Sequence, residues 1–163
     1  MTMRAPHIVL VAIAVGLPGC LYEQPVAPGA AEAVDARLLG TWKCVNPESE
    51  KAETLTISER PDRRYRTEFD EGDGAPAVFF AYTVAFASER IVNVQEVVDG
   101  EPRKWTLARY SLPAPNVLRL EAADHEPFEK ATTAEQREKV LAAGLKSGQL
   151  FGDFCVCIRA AKK

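Results

Sequence analysis

Glu53-Thr54-Leu55-Thr56-Ile57-Ser58-Glu59 alternates without a break: Leu55 and Ile57 share one face, Thr54, Thr56 and Ser58 the other. Successive side chains of a strand point to opposite sides, so this stretch reads as a half-buried β-strand. Its neighbours repeat the theme. Pro61-Asp62 turns the chain, and residues 64–69 alternate again with Tyr65, Thr67 and Phe69 on one face. Upstream, residues 41–45 form a first strand closed by the turn Asn46-Pro47-Glu48-Ser49. Downstream, Asp70-Glu71-Gly72-Asp73-Gly74 is a loop, and residues 78–87 are a strand apolar on nearly both faces. Ser88-Glu89 leads into residues 91–98, Asp99-Gly100 signals a hairpin, and residues 105–112 and 117–122 are joined by Pro113-Ala114-Pro115-Asn116.

One helix interrupts the strands. Thr133 can cap it, with Gln136 three residues on as in a capping box. Glu135 and Lys139 form an i, i+4 pair, Val140, Leu141 and Leu145 an apolar stripe, and Gly148 a stop. A last strand runs over residues 153–159. Eight short strands with turn signals between them predict a mainly β fold. The expected architecture is an eight-stranded antiparallel up-and-down barrel with one α-helix before the last strand.

The N-terminus carries a different kind of signal. Arg4 precedes an uncharged apolar run over residues 8–15, followed by Leu17-Pro18-Gly19-Cys20. A positive start, a short apolar core and a small residue describe a secretory signal peptide. With Cys20 placed directly after Gly19, the stretch resembles the lipobox of bacterial lipoproteins. That resemblance implies cleavage before Cys20 and acylation of its thiol. Residues 1–19 are then the signal peptide, and 144 residues of the 163 remain. The Ala- and Pro-rich residues 20–36 are expected to be a flexible tether for the domain at 37–163. The apolar run is too short to span a bilayer, so the membrane is reached through the lipid anchor alone. Leu21 is not Asp, so the lipoprotein resemblance points to the outer membrane facing the periplasm. The full chain has net charge −3, which becomes −4 without Arg4, and its basic residues are not clustered. Nucleic acid is therefore not an expected partner.

Gly40-Thr41-Trp42 opens the first strand of this pattern. Gly-x-Trp at the head of eight antiparallel strands resembles the lipocalin and calycin superfamily. The resemblance implies a calycin-like barrel, with Trp42 closing its bottom and Arg159 of the last strand packing across the indole. Three cysteines remain besides Cys20: Cys44, Cys155 and Cys157. Export favours a disulfide. If Arg159 opposes Trp42 across an antiparallel ladder, Cys157 opposes Cys44, which favours Cys44–Cys157 over the alternative Cys44–Cys155. Phe154, Val156 and Ile158 could equally be the inward face, in which case the cysteines point outward.

Catalytic constellations are not found. The one histidine after the signal peptide, His125, sits in the acidic loop Asp124-His125-Glu126-Pro127 and reads as solvated. No Gly-x-Ser-x-Gly elbow is present, and residues 70–74 lack the calcium-loop ligand spacing. No catalytic residue, metal or cofactor is expected. The expectation is a lipid-anchored envelope protein acting as a non-catalytic structural or accessory interaction module, with another envelope protein as partner. The alternative is binding of a small apolar ligand by inward aromatics, Tyr65, Phe69, Phe80, Tyr82 and Phe86.

Overall fold

The structure, a computed structural model, describes residues 22–47 and 52–161. The signal-like stretch and Cys20 lie outside the described residues. The chain forms a closed barrel of eight strands, each antiparallel to its neighbours, and β8 pairs back onto β1. The strands are β1 (Gly40–Val45), β2 (Ala52–Arg60), β3 (Arg64–Asp70), β4 (Ala77–Phe86), β5 (Glu89–Val98), β6 (Glu101–Ala114), β7 (Val117–Ala123) and β8 (Phe151–Arg159). One helix, α1 (Ala134–Ser147), precedes β8. It follows a single 3-10 turn over Glu126–Phe128 that the sequence pattern does not announce. Thr133 and Gln136 make the reciprocal capping box, and Gly148 ends the helix in the left-handed conformation at φ 71°.

Residues directly opposite one another in an antiparallel ladder share a face. Trp42, Leu55 and Phe69 are such a row, as are Tyr65, Ala81 and Val94. These side chains fill the inside of the barrel together with Cys44, Ile57, Leu118 and Cys157. The other face of β4, β5 and β6 carries a second core. There Tyr82, Val84, Ile91, Trp105 and Leu107 are buried outside the barrel wall, under α1 and the N-terminal segment.

This second core corrects two sequence expectations. First, residues 22–36 are not a free tether. Tyr22 pairs with Trp105 through two backbone hydrogen bonds of 2.7 Å, and Val26 and Ala27 are buried. The Asn93 side chain, fully buried on β5, accepts from the Val26 and Ala27 N–H groups at 3.1 and 3.0 Å and donates to the Ala27 carbonyl at 2.9 Å. Composition suggested a linker, but an amide 66 residues away satisfies the backbone that a linker would leave to water. The segment then passes the edge of β4, where the Glu32 N–H donates to the Thr83 carbonyl at 2.8 Å. It ends across the base of the barrel, at the end where β1 begins and β8 finishes.

Second, Phe80, Tyr82 and Phe86 do not point inward. Phe80 opposes Gln95, Tyr82 opposes Asn93 and Phe86 opposes Glu89, all on the outer face. Of the five aromatics expected inside, Tyr65 and Phe69 are there. A strand apolar on both faces has no alternation from which to choose a side.

The question left open for β8 has an unequal answer. Cys155 and Cys157 are buried inside, while Val156 and Ile158 are exposed. Phe154 is the extra residue of a register shift between Leu120 and Glu121, and its ring reaches Phe69 at 5.8 Å.

Candidate functional site

At the base of the barrel, Trp42 is 0 % exposed and its Nε1–H donates to the Leu38 carbonyl at 2.9 Å. The Arg159 guanidinium lies 4.1 Å from the centre of the indole ring. Its Nη1 donates to the Leu39 carbonyl at 2.8 Å and its Nη2 to the Arg37 carbonyl. Gly40 stands at φ +121°, and a Cβ there would come within 3.1 Å of Arg159 Nη1. The glycine and the tryptophan thus belong to one arrangement: the first lets the guanidinium close, the second gives it a ring face. Gly40, Trp42 and Arg159 together seal the end of the barrel.

One step along the same seam, Cys44 and Cys157 face each other in register and form a disulfide. Cys155 is a free, buried thiol whose Sγ lies 3.6 Å from Cys157 Sγ. Burial, and then the charge of Glu53, push that thiol up to about 12. A thiol that stays protonated is a poor nucleophile and a poor metal ligand. The three sulfurs lie within 4.8 Å of one another, but two are spent in the disulfide.

Beside the seal, the N-terminal segment lines one side of a hollow of about 380 Å³ that is open to solvent. Its polar lining is Glu32, Asp35, Arg37, Thr83, Arg90 and Tyr110. Asp35 is held from every side. Its N–H donates to Tyr65 Oη at 2.7 Å, and its carboxylate accepts from Arg37 N, Nε and Nη2 at 3.0, 2.9 and 2.7 Å and from Tyr110 Oη at 3.3 Å. The Arg37 side chain holds this carboxyl below its ordinary range, against the opposing effect of burial. Burial, with the Asp35 charge behind it, pushes the Tyr110 phenol up to about 12. Both groups therefore keep fixed protonation states at neutral pH, Asp35 as acceptor and Tyr110 as donor. Thr83 is 2 % exposed, and its Oγ1 has no hydrogen-bond partner among the described residues.

His125 lines a small recess of about 10 Å³ with Tyr22 and Phe128, and its Nε2 is 3.8 Å from Glu129. Thr106 and Asp124 share that lining. The outer face of the β1–β8 seam carries three of the four large exposed aliphatics among the described residues, Val45 opposite Val156, and Ile158, which is 58 % exposed; the fourth, Val98, ends β5. Sequence reading did not single out Thr83, Arg90, Tyr110 or Asp35, because nothing local marks the inner end of a strand as the rim of a hollow. Asn93 did carry a signal: an amide amid Ile91, Val92 and Val94 must find partners if it is buried. No family model, curated protein or solved structure matches this chain.

Proposed function

We propose that this chain is a lipid-anchored envelope protein, held in the outer membrane's periplasmic leaflet through Cys20, whose lipocalin-like barrel is a non-catalytic accessory module. One observation carries the interaction reading. The barrel interior is occupied by side chains and stapled across its seam, while Val45, Val156 and Ile158 are left exposed together on the outer face of that seam. A closed barrel has no free strand edge to donate, so contact is made through side chains. A patch of a few aliphatic residues suits a transient partner better than an obligate one. The partner is an envelope protein presenting an apolar surface. Among the described residues no helix is long and apolar enough to cross a membrane.

Two measurements test this reading. Mass analysis of the N-terminal peptide should find acyl chains on Cys20, and an unmodified cysteine there ends the lipid-anchor part. A photo-crosslinking residue at Ile158 in the full-length protein in cells should trap one defined partner, lost when Val156→Lys is added. The same probe at exposed Glu138 on α1 should trap none. Equal trapping at both positions sinks the seam as the contact face.

A further inference from the structure

We propose that the end of the barrel away from the Trp42–Arg159 seal rests on a surface of zwitterionic phospholipid, with the β5–β6 hairpin in the headgroup layer and Val98 as its apolar contact. This rests on the lipid-anchor reading of Cys20 and gives that anchor an orientation. Tyr22 is fixed to β6 by two backbone hydrogen bonds to Trp105, each of 2.7 Å, and its ring meets Phe128 at 5.8 Å. Cys20 stands two residues before it. Two residues span at most about 7 Å, however they are arranged. The interfacial layer of a bilayer is itself about 5–7 Å deep on each side. A cysteine whose acyl chains enter the membrane therefore keeps Tyr22 at the lipid surface, and the domain cannot turn freely on a long tether.

The position of Trp105 decides which end that is. Ala114 closes β6 at the base, level with Val117 and Ile158. It lies about 30 Å along the strand from Trp105, at ~3.3 Å per residue. In the other direction Glu101 lies about 13 Å beyond Trp105. The hairpin tip there, turned by Asp99 and Gly100 at φ 53° and 80°, therefore projects past Tyr22 toward the lipid. Val98 stands at that tip and is 39 % exposed. Among the described residues it is the one large exposed aliphatic outside the seam patch.

Charge selects the kind of lipid. On the hairpin, exposed Asp99 and Glu101 are balanced by exposed Arg103 and Lys104, and Glu23 pairs with Lys104 at 3.9 Å. On the other side of Tyr22, Asp124, Glu126 and Glu129 are exposed. An anionic surface would repel that side at close range. Zwitterionic headgroups fit both sides, with a phosphate for Arg103 and an ammonium for the carboxylates.

The test uses the full-length protein, acylated in cells and returned to vesicles of phosphatidylcholine and phosphatidylethanolamine. A photo-crosslinking residue is placed at Val98, at Asn116 in the exposed turn at the base, or at Ile158. Lipid adducts, counted by mass spectrometry, should form at Val98 and be several-fold fewer at the other two positions. Inserting about ten Gly and Ser residues between Leu21 and Tyr22 adds roughly 17 Å of flexible reach. It should bring Val98 down to the Asn116 level and leave the melting temperature unchanged. Vesicles of phosphatidylglycerol should also lower the yield at Val98. The orientation is overturned if acylated protein gives no adduct at Val98, if the three positions react equally, or if the insertion changes nothing. An equal yield on phosphatidylglycerol overturns the zwitterionic surface. An unmodified Cys20 is a separate result, read from the mass of the N-terminal peptide, and it removes the anchor and the orientation together.

Discussion

Asn93 joins the N-terminal segment to the barrel by a single side chain. Its amide uses both ends: the oxygen accepts from two N–H groups and the nitrogen donates to a carbonyl. Replacing it with Ala leaves three buried backbone groups without partners, each costing about 1–3 kcal/mol if water cannot enter. Asn93→Ala should lose roughly 3 kcal/mol in urea denaturation, with early proteolytic cleavage near Val26 as a second sign. Unchanged resistance to protease would mean that the segment is held by its apolar contacts alone. Asp35 makes a pH prediction. Its folded value lies below 3.8, so the ionised form contributes stability that is present above that pH and lost as pH falls through the folded value. The urea midpoints of the parent and Asp35→Asn should therefore differ near neutral pH and converge below about pH 4. A gap that stays constant down to pH 3 would show that the charge is not what Arg37 and Tyr110 grip.

Among elements, α1 shows how a helix with a narrow apolar stripe is held. Leu141 is fully buried against the outer core, with Val140 and Leu145 partly buried beside it. The capping box, the Glu135–Lys139 pair and the glycine stop were all legible locally, because each depends on residues within four positions. Where the helix docks was not legible. Gly144 illustrates the difference. In isolation, Ala is preferred over Gly in a helix by about 1 kcal/mol. Here a Cβ at Gly144 would lie 2.8 Å from Leu150 Cβ, and Leu150 is buried in the same core. Gly144→Ala should therefore destabilise, by roughly 1–2 kcal/mol once overpacking is set against propensity. A raised urea midpoint would show that Leu150 can yield. The N-terminal segment and β4 make the same point. Pro25, Pro28 and Gly29 say "linker" and an apolar strand says "buried", but neither states what lies opposite.

At the scale of the molecule, the barrel closes where the first strand meets the last. The Cys44–Cys157 bond spans 113 residues and ties that seam. In the chain-entropy picture a loop of about 100 residues is worth ~4.7 kcal/mol, so reduction should lower the melting temperature by roughly 15 °C. A shift under about 3 °C would mean that the eight-strand ladder alone sets the stability.

Much of this barrel stood in the sequence. Alternation at residues 53–59 and 64–69, turn signals between short runs and the capping box determined strands, helix and their order. Their causes are local: side-chain period, turn stereochemistry and end capping act over a few residues. With Arg159 set against Trp42 by the lipocalin resemblance, the spacing of Trp42 to Cys44 and of Cys157 to Arg159 favoured Cys44 opposite Cys157, because both pairs advance by two along facing strands. Only the tertiary structure decided which face of β4 looks inward, that residues 22–36 cover a second core, and that Thr83, Arg90 and Tyr110 meet at one hollow. Those outcomes depend on what covers each surface. Burial is a property of two surfaces brought together by a closed chain, and no window of sequence contains both.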